Sequence, residues 1–287
     1  MTARRGPTLR AQLLGQQLRV LREEARLTLK EVAEYVQRDA STVSRFESGI
    51  LPARVPEVLA YLDLCGIDDP RRREALKRLS QDVFQKGWWD GYGGDVAGSL
   101  VDRIWLESRA REIRTFQTIV VPGLLQTREY AETIIRAADP DASDEQIRRW
   151  VEVRLNRQRL LAQPRPVRLV ALLDEAVLRR KVGGAAVMRA QLEHLVQCAS
   201  RPTVDLLVLP AESGAHGSPD GSFEVLEMPE PYPVIGYAQT PAGEIYVEAA
   251  GAERMVATYD QLSGMALKCL ESKDVIAFIT DVAKGMA

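Results

Sequence analysis

The segment from Ser41 to Gly49, STVSRFESG, packs small hydroxyl residues, one arginine and one carboxylate into nine positions. Wound as a helix, Val43 and Phe46 fall on one side and the polar residues on the other. A helix so divided packs on its own domain and presents a thin polar edge to a major groove. The groove-facing candidates are Ala40, Ser41, Ser44 and Arg45. Thr42, near the first turn, is placed to meet phosphate, as are Arg38 in the preceding turn and Lys30. Arg45 alone could fork onto the O6/N7 edge of a guanine. The competing use of Arg45 is a surface ion pair with Glu31 or Glu34. Glu47 is expected to face inward or cap a neighbour, because a carboxylate aimed at phosphate is costly.

Other chemistry-bearing residues are weaker. His194 and Cys198 stand four apart, as a metal half-site needs, but no second pair lies nearby in sequence. They read as a packed helix face, and no metal or cofactor is expected. The stretch SGAHGSPDGS gathers serines, a histidine and an aspartate, yet no GxSxG elbow exists to aim a nucleophile. It reads as a loop between strands, and the chain as a non-enzyme. GYGGDVAG has Val96 where a dinucleotide fingerprint would place its last glycine. Arg71–Arg73 lies at a helix start, where the dipole disfavours cations, and reads as a solvated face.

The elements that must hold the polar edge are legible. Leu14, Leu18, Leu21 and Ala25 form one stripe on a first helix. Thr28 with Glu31 three residues on makes a capping box for the second, whose inner face is Leu29, Val32, Ala33 and Val36. Asp39 caps the third helix and Gly49 ends it. Pro56 suits the first turn of a fourth, with Val58, Leu59 and Leu62 inward. Asp69-Pro70 opens a fifth, running to about Phe84. From Met1 to Arg54 the bases Arg4, Arg5, Arg10, Arg19, Arg22, Arg26, Lys30, Arg38, Arg45 and Arg54 outnumber the acids. The whole chain is nonetheless at −2. A locally basic segment on an acidic chain suits local phosphate binding.

After Phe84 glycines break any helix, and Trp88 and Trp89 are too large to leave in solvent; they are expected to dock a linker. Ile104 to Phe116 reads as helix. In VPGLLQT, Pro122-Gly123 suits a type II turn and Thr127 caps a helix. A long helix opens at Ser143 or Asp144. VRLVALL, TVDLLVLP, SFEVLEMP, VIGYAQT and EIYVEA read as five strands, with helices over 174–180 and 185–199 between the first two. That first crossover is expected to be parallel. Two helices close the chain. The fold class is α+β: an N-terminal all-α helix-turn-helix bundle, then a small, mostly antiparallel sheet with packed helices. The boundaries read as 1–84 for the bundle, 85–103 for a Gly/Trp-rich linker and 104–287 for the second domain.

The 287 residues and apolar fraction of 46% allow a sizeable core. No apolar run reaches the ~20 residues that span a bilayer. The three cysteines are scattered and odd in number, which fits a reducing cytoplasm, and no signal peptide is read at the N-terminus.

From about Leu14 to Gly66 the chain resembles the XRE, or repressor-type, helix-turn-helix family. Thr28, Glu31, Val32, Ala33, Ser41, Val43, Ser44, Glu47 and Gly49 carry the match. Leu29 departs from it where the family often has a phosphate-touching glutamine, and Gln37 where a turn glycine is common. GWW at 87–89, VPGLLQTREYA at 121–131, RLNRQRLL at 154–161, LLDEAVLRRKVGG at 172–184, MRAQLEHL at 188–195 and VLP at 208–210 resemble the actinobacterial WhiJ-like regulators with an antitoxin-like C-terminal domain. The resemblance implies a regulator of double-stranded operator DNA, and because one recognition helix covers only a few base pairs a homodimer is expected. It also implies a second domain that receives a signal from a small antagonist protein encoded nearby. Trp88, Trp89 and the turn Pro122, Gly123, Leu124, Leu125 and Gln126 are the candidates for partner binding or coupling. The alternative is a second domain that acts as a small-molecule sensor or enzyme.

Overall fold

A computed structural model describes residues 7–85, 87–92, 98–269 and 272–286. The chain divides into two compact units. One comprises Met1–Arg103 with Glu230–Tyr232; the other comprises Ile104–Pro229 and Pro233–Ala287.

The first unit is helical: α1 (Leu9–Glu24), α2 (Leu29–Tyr35), α3 (Ala40–Glu47), α4 (Val55–Leu64) and α5 (Pro70–Phe84). The capping residues expected from sequence are in place. Thr28 and Glu31 close a reciprocal capping box on α2, Asp39 accepts from the Thr42 amide at α3, and Asp69 accepts from the Arg71 amide at α5. These contacts satisfy amides that have no partner inside their own helix. Leu14, Leu18, Leu21, Val32, Val43, Phe46, Val58, Tyr61, Leu62, Leu76 and Leu79 form one buried cluster. Tyr232 packs against it and donates to the Asp82 carboxylate at 2.9 Å. A short 3-10 turn follows at Trp88–Tyr92. There the two tryptophans meet edge to face at 5.9 Å, and Trp88 is 40% exposed.

The second unit is built on six strands: β1 (Glu112–Gln117), β2 (Arg168–Asp174), β3 (Val204–Leu209), β4 (Phe223–Glu227), β5 (Ile235–Thr240) and β6 (Gly243–Val247). Their order is β3-β2-β1-β4-β5-β6. β1 pairs with β2, and β2 with β3, in parallel; the other three pairings are antiparallel. The helices are α6 (Gly98–Arg109), whose first residues up to Arg103 belong to the first unit, α7 (Arg128–Ala138), α8 (Asp144–Arg157), α9 (Glu175–Arg179), α10 (Gly184–Ala199), α11 (Ala250–Cys269) and α12 (Ser272–Lys284). The parallel pairs need crossovers, which α7–α8 and α9–α10 supply. Tyr259 and Leu262 of α11 pack on Phe116, Leu172, Leu207, Phe223 and Val225 of the sheet.

Two local expectations are corrected. Helix does not run from Ile104 to Phe116: α6 ends at Arg109 and Glu112–Gln117 is strand β1. The strand is central, with Ile113 between Leu169 and Leu226 in register. Branched Ile113 and Thr115 and aromatic Phe116 suit a strand flanked on both sides. The Pro122-Gly123 step is not a type II turn. That turn needs positive φ at the glycine, whereas Gly123 is not among the positive-φ glycines and opens a 3-10 turn, Gly123–Leu125.

Candidate nucleic-acid interface

α3 is held from beneath by apolar packing and from its C-terminal end by a polar clamp. Val43 and Phe46 are buried, whereas Ala40, Ser41, Ser44 and Arg45 are exposed and Thr42 is half-buried. Glu47 points inward. Its oxygens accept from Arg22 Nε at 2.6 Å and Nη2 at 2.8 Å, and Oε1 also accepts from the Tyr61 hydroxyl. Arg22 donates its remaining arm to the Leu27 carbonyl at 3.0 Å. The bidentate bond to Glu47 pushes the Arg22 guanidinium further up, and burial with the Glu47 contact pushes the Tyr61 hydroxyl up. Arg22 thus stays charged and Tyr61 neutral, and their bonds to Glu47 pin α3 to α1 and α4 at once.

Close backbone approach completes the seat. A Cβ on Gly15 of α1 would lie 2.5 Å from the carbonyl oxygens of Phe46 and Glu47. Gly49, at φ +71°, ends α3 in the left-handed region and lies against the Ala11 backbone. The role of Gly49 is legible as a helix stop. Gly15 was missed in sequence, because a glycine inside an apolar helical stripe signals close packing only once its neighbour is known.

At the N-terminal end of α3, Asp39 gathers three donors. It accepts from the Thr42 amide and hydroxyl, each at 2.8 Å, and from the Ser41 hydroxyl. The hydroxyls of Ser41 and Thr42 hold this exposed carboxyl well below the usual carboxylate range. Those hydroxyls spend their donors on Asp39 and keep only acceptor capacity.

Arg45 and Lys30 have no ion-pair partner among the described residues, so neither the Glu31 nor the Glu34 pairing forms. Arg38 instead pairs through Nη2 with Glu57 at 2.9 Å, on a half-exposed side chain whose other N–H donors are left for phosphate. Arg72 and Arg73 pair with Glu24 and Asp63 on a solvated face. Ile50 and Leu51, just past Gly49, are exposed apolar residues beside the polar edge, at 58% and 37%. Only their position directly after the stop glycine could have flagged them.

Gln37 answers the missing turn glycine. It takes φ +53° itself, its amide donates to the Glu34 carbonyl and the next amide, of Arg38, donates to Ala33. This is a Schellman closure with glutamine where glycine is favoured.

In the second unit, glutamines fasten the turn at Pro122, Gly123, Leu124, Leu125 and Gln126. Gln126 donates to the Val121 carbonyl and accepts from Arg154. Gln158 donates to the carbonyls of Gly123 and Gln126, and Gln191 bonds the Leu125 carbonyl and the Thr127 amide. Leu124, Leu125 and Gln126 are buried. Beneath them Arg157 and Glu107 form a bidentate ion pair, with side chains 4% and 1% exposed. His194 lies 3.4 Å from Cys198; burial lowers the imidazole and raises the thiol, the reverse of an activated pair. Among the described residues no group of three or more histidines, cysteines and carboxylates could hold a metal, and no helix is long and apolar enough to cross a membrane.

A three-sided seat for an exposed polar helix is the arrangement of a helix-turn-helix domain, and residues 13–76 match that domain family. The chain thus carries an N-terminal DNA-binding module of regulator type. Residues 100–277, more than half of the chain, match a domain of unknown function, DUF5753, and the chain belongs to that family. No curated protein and no solved structure matches it.

Proposed function

We propose that this chain is a sequence-specific transcriptional regulator of the XRE type, similar to the WhiJ-like proteins. It acts in the cytoplasm as a homodimer on a palindromic operator. The observation that carries this reading is the polar edge of α3: Arg45 is unpaired among the described residues while Glu47, the one carboxylate within that helix, is turned inward. One recognition helix covers only a few base pairs, so a specific site at working salt calls for two copies about one helical turn apart. The second unit is a non-catalytic, antitoxin-like receiver for a small antagonist protein encoded nearby. Trp88, Trp89 and the buried turn at 122–126 contribute to coupling.

The test is selection of full-length protein against a random duplex library, followed by footprinting of the enriched sequence. The expected result is an inverted repeat protected by two protomers. Protection of a lone asymmetric half-site by one protomer, or no enrichment, overturns the reading.

A further inference from the structure

The second unit contains a concavity of about 760 Å³ between the end of α6 and the segment before β2. Arg109, Arg111 and Arg165 line it, together with Gln163 and two prolines, and no carboxylate does. The three arginines come to its lining from two segments more than fifty residues apart.

The surrounding carboxylates are engaged elsewhere. Glu112, next to Arg111, gives one oxygen to Arg114 at 2.7 Å and the other to Arg168 at 2.8 Å. Glu227 pairs with Arg114, and Glu107 is buried against Arg157. Among the described residues, Arg111 and Arg165 therefore have no ion-pair partner. Arg109 sits in the last turn of α6, where a cation complements the helix dipole; the other two arginines have no such local role.

The walls are fixed by backbone. The Arg168 amide donates to the Arg111 carbonyl at 3.1 Å, and the Arg111 amide donates to the Glu227 carbonyl at 2.7 Å. The facing segment is stiffened by Pro164 and Pro166, whose rings lock φ, and by Gln163, which donates to the Arg165 carbonyl at 3.0 Å. A fixed concavity within the ~300–1,000 Å³ range of ligand pockets, lined by guanidiniums, suits a compact anion with several oxygens.

We propose that this concavity is a binding site for a small phosphate-bearing molecule, with Arg111 and Arg165 gripping the phosphate oxygens. The site lies within the second unit and is independent of the reading of α3. It gives that unit a ligand of its own besides any protein partner.

The test is calorimetric titration of the full chain with inorganic pyrophosphate at constant ionic strength, repeated on R111A/R165A and on R111K/R165K. The wild type should bind, the alanine pair should lose affinity about tenfold or more, and the lysine pair should fall between, because charge survives but the forked geometry does not. An Arg149→Ala control, at an exposed arginine paired to Glu145, should bind like wild type. Far-ultraviolet dichroism confirms that the variants fold. No heat from pyrophosphate in the wild type, or equal binding by the alanine pair, overturns the proposal. A random-sequence duplex is titrated in parallel. If the two arginines govern duplex affinity and pyrophosphate does not bind, the phosphate they hold is DNA backbone, and the small-molecule proposal fails.

Discussion

Glu47→Ala should loosen the seat of α3 while leaving its outer face chemically unchanged. The carboxylate takes two charge-assisted bonds from Arg22 and one from the Tyr61 hydroxyl, with side-chain exposures of 13% for Arg22 and 7% for Glu47. Removing one partner of a buried ion pair costs about 3–5 kcal/mol, because the other charge stays behind without compensation. Arg22 keeps its bond to the Leu27 carbonyl and a solvent edge, which places the loss near the lower end, about 3 kcal/mol. The orphaned Tyr61 hydroxyl adds about 1 kcal/mol. Together these raise the opening equilibrium of the first unit about a thousandfold, a large part of the ~5–15 kcal/mol that holds a domain together. Hydrogen exchange on the full chain reads this directly: peptides from α1, α3 and α4 should lose protection while peptides from β2 and β3 serve as the internal control. Glu47→Gln keeps the shape and one acceptor and should lose about half as much. If Glu47→Ala left protection in α1 and α3 within a few-fold of wild type, the clamp would be decoration and the reasoning wrong.

Four further outcomes are expected. Arg45→Ala should cost about 1–3 kcal/mol on the selected operator and relax one base position, whereas Arg38→Ala should weaken all duplexes alike and reduce the salt slope by about one; equal losses for Arg45→Ala on matched and scrambled duplexes would remove its base-reading role. Gly15→Ala should destabilise the first unit by about 1–3 kcal/mol, since its Cβ would meet carbonyl oxygens that cannot turn aside; an unchanged unfolding midpoint would contradict the close approach. Gln37→Gly should stabilise by up to about 1 kcal/mol, as relief of the left-handed strain exceeds the added chain entropy; a destabilised variant would mean that the glutamine side chain contributes more than the strain. Because burial lowers the His194 pKa below its ordinary 6.5, its stability contribution is present above about pH 6.5 and is lost as pH falls. Unfolding at pH 7.5 and 5.5 should show a smaller drop in His194→Gln than in wild type, and equal drops would count against it.

The first unit was legible from its amino acids almost element by element. Its information is local: the Leu14, Leu18 and Leu21 stripe, the Thr28–Glu31 box, the Asp39 cap and the Gly49 stop each act within one or two helical turns. The outward face of α3 follows from the same periodicity. The strands from 167 onward were legible for a similar reason, being short apolar runs between turn residues. Tertiary structure alone decided that Glu112–Gln117 is a central strand, because its partners are β2 and β4, some fifty and a hundred residues away. It decided that Arg38 pairs with Glu57, that Glu47 finds Arg22 and Tyr61, and that Gly15 meets the end of α3. It also brought Arg111 and Arg165 to one concavity. Charge pairing and close backbone approach depend on distance in space, and no periodicity along the chain encodes which residues the fold will bring within 3 Å of one another.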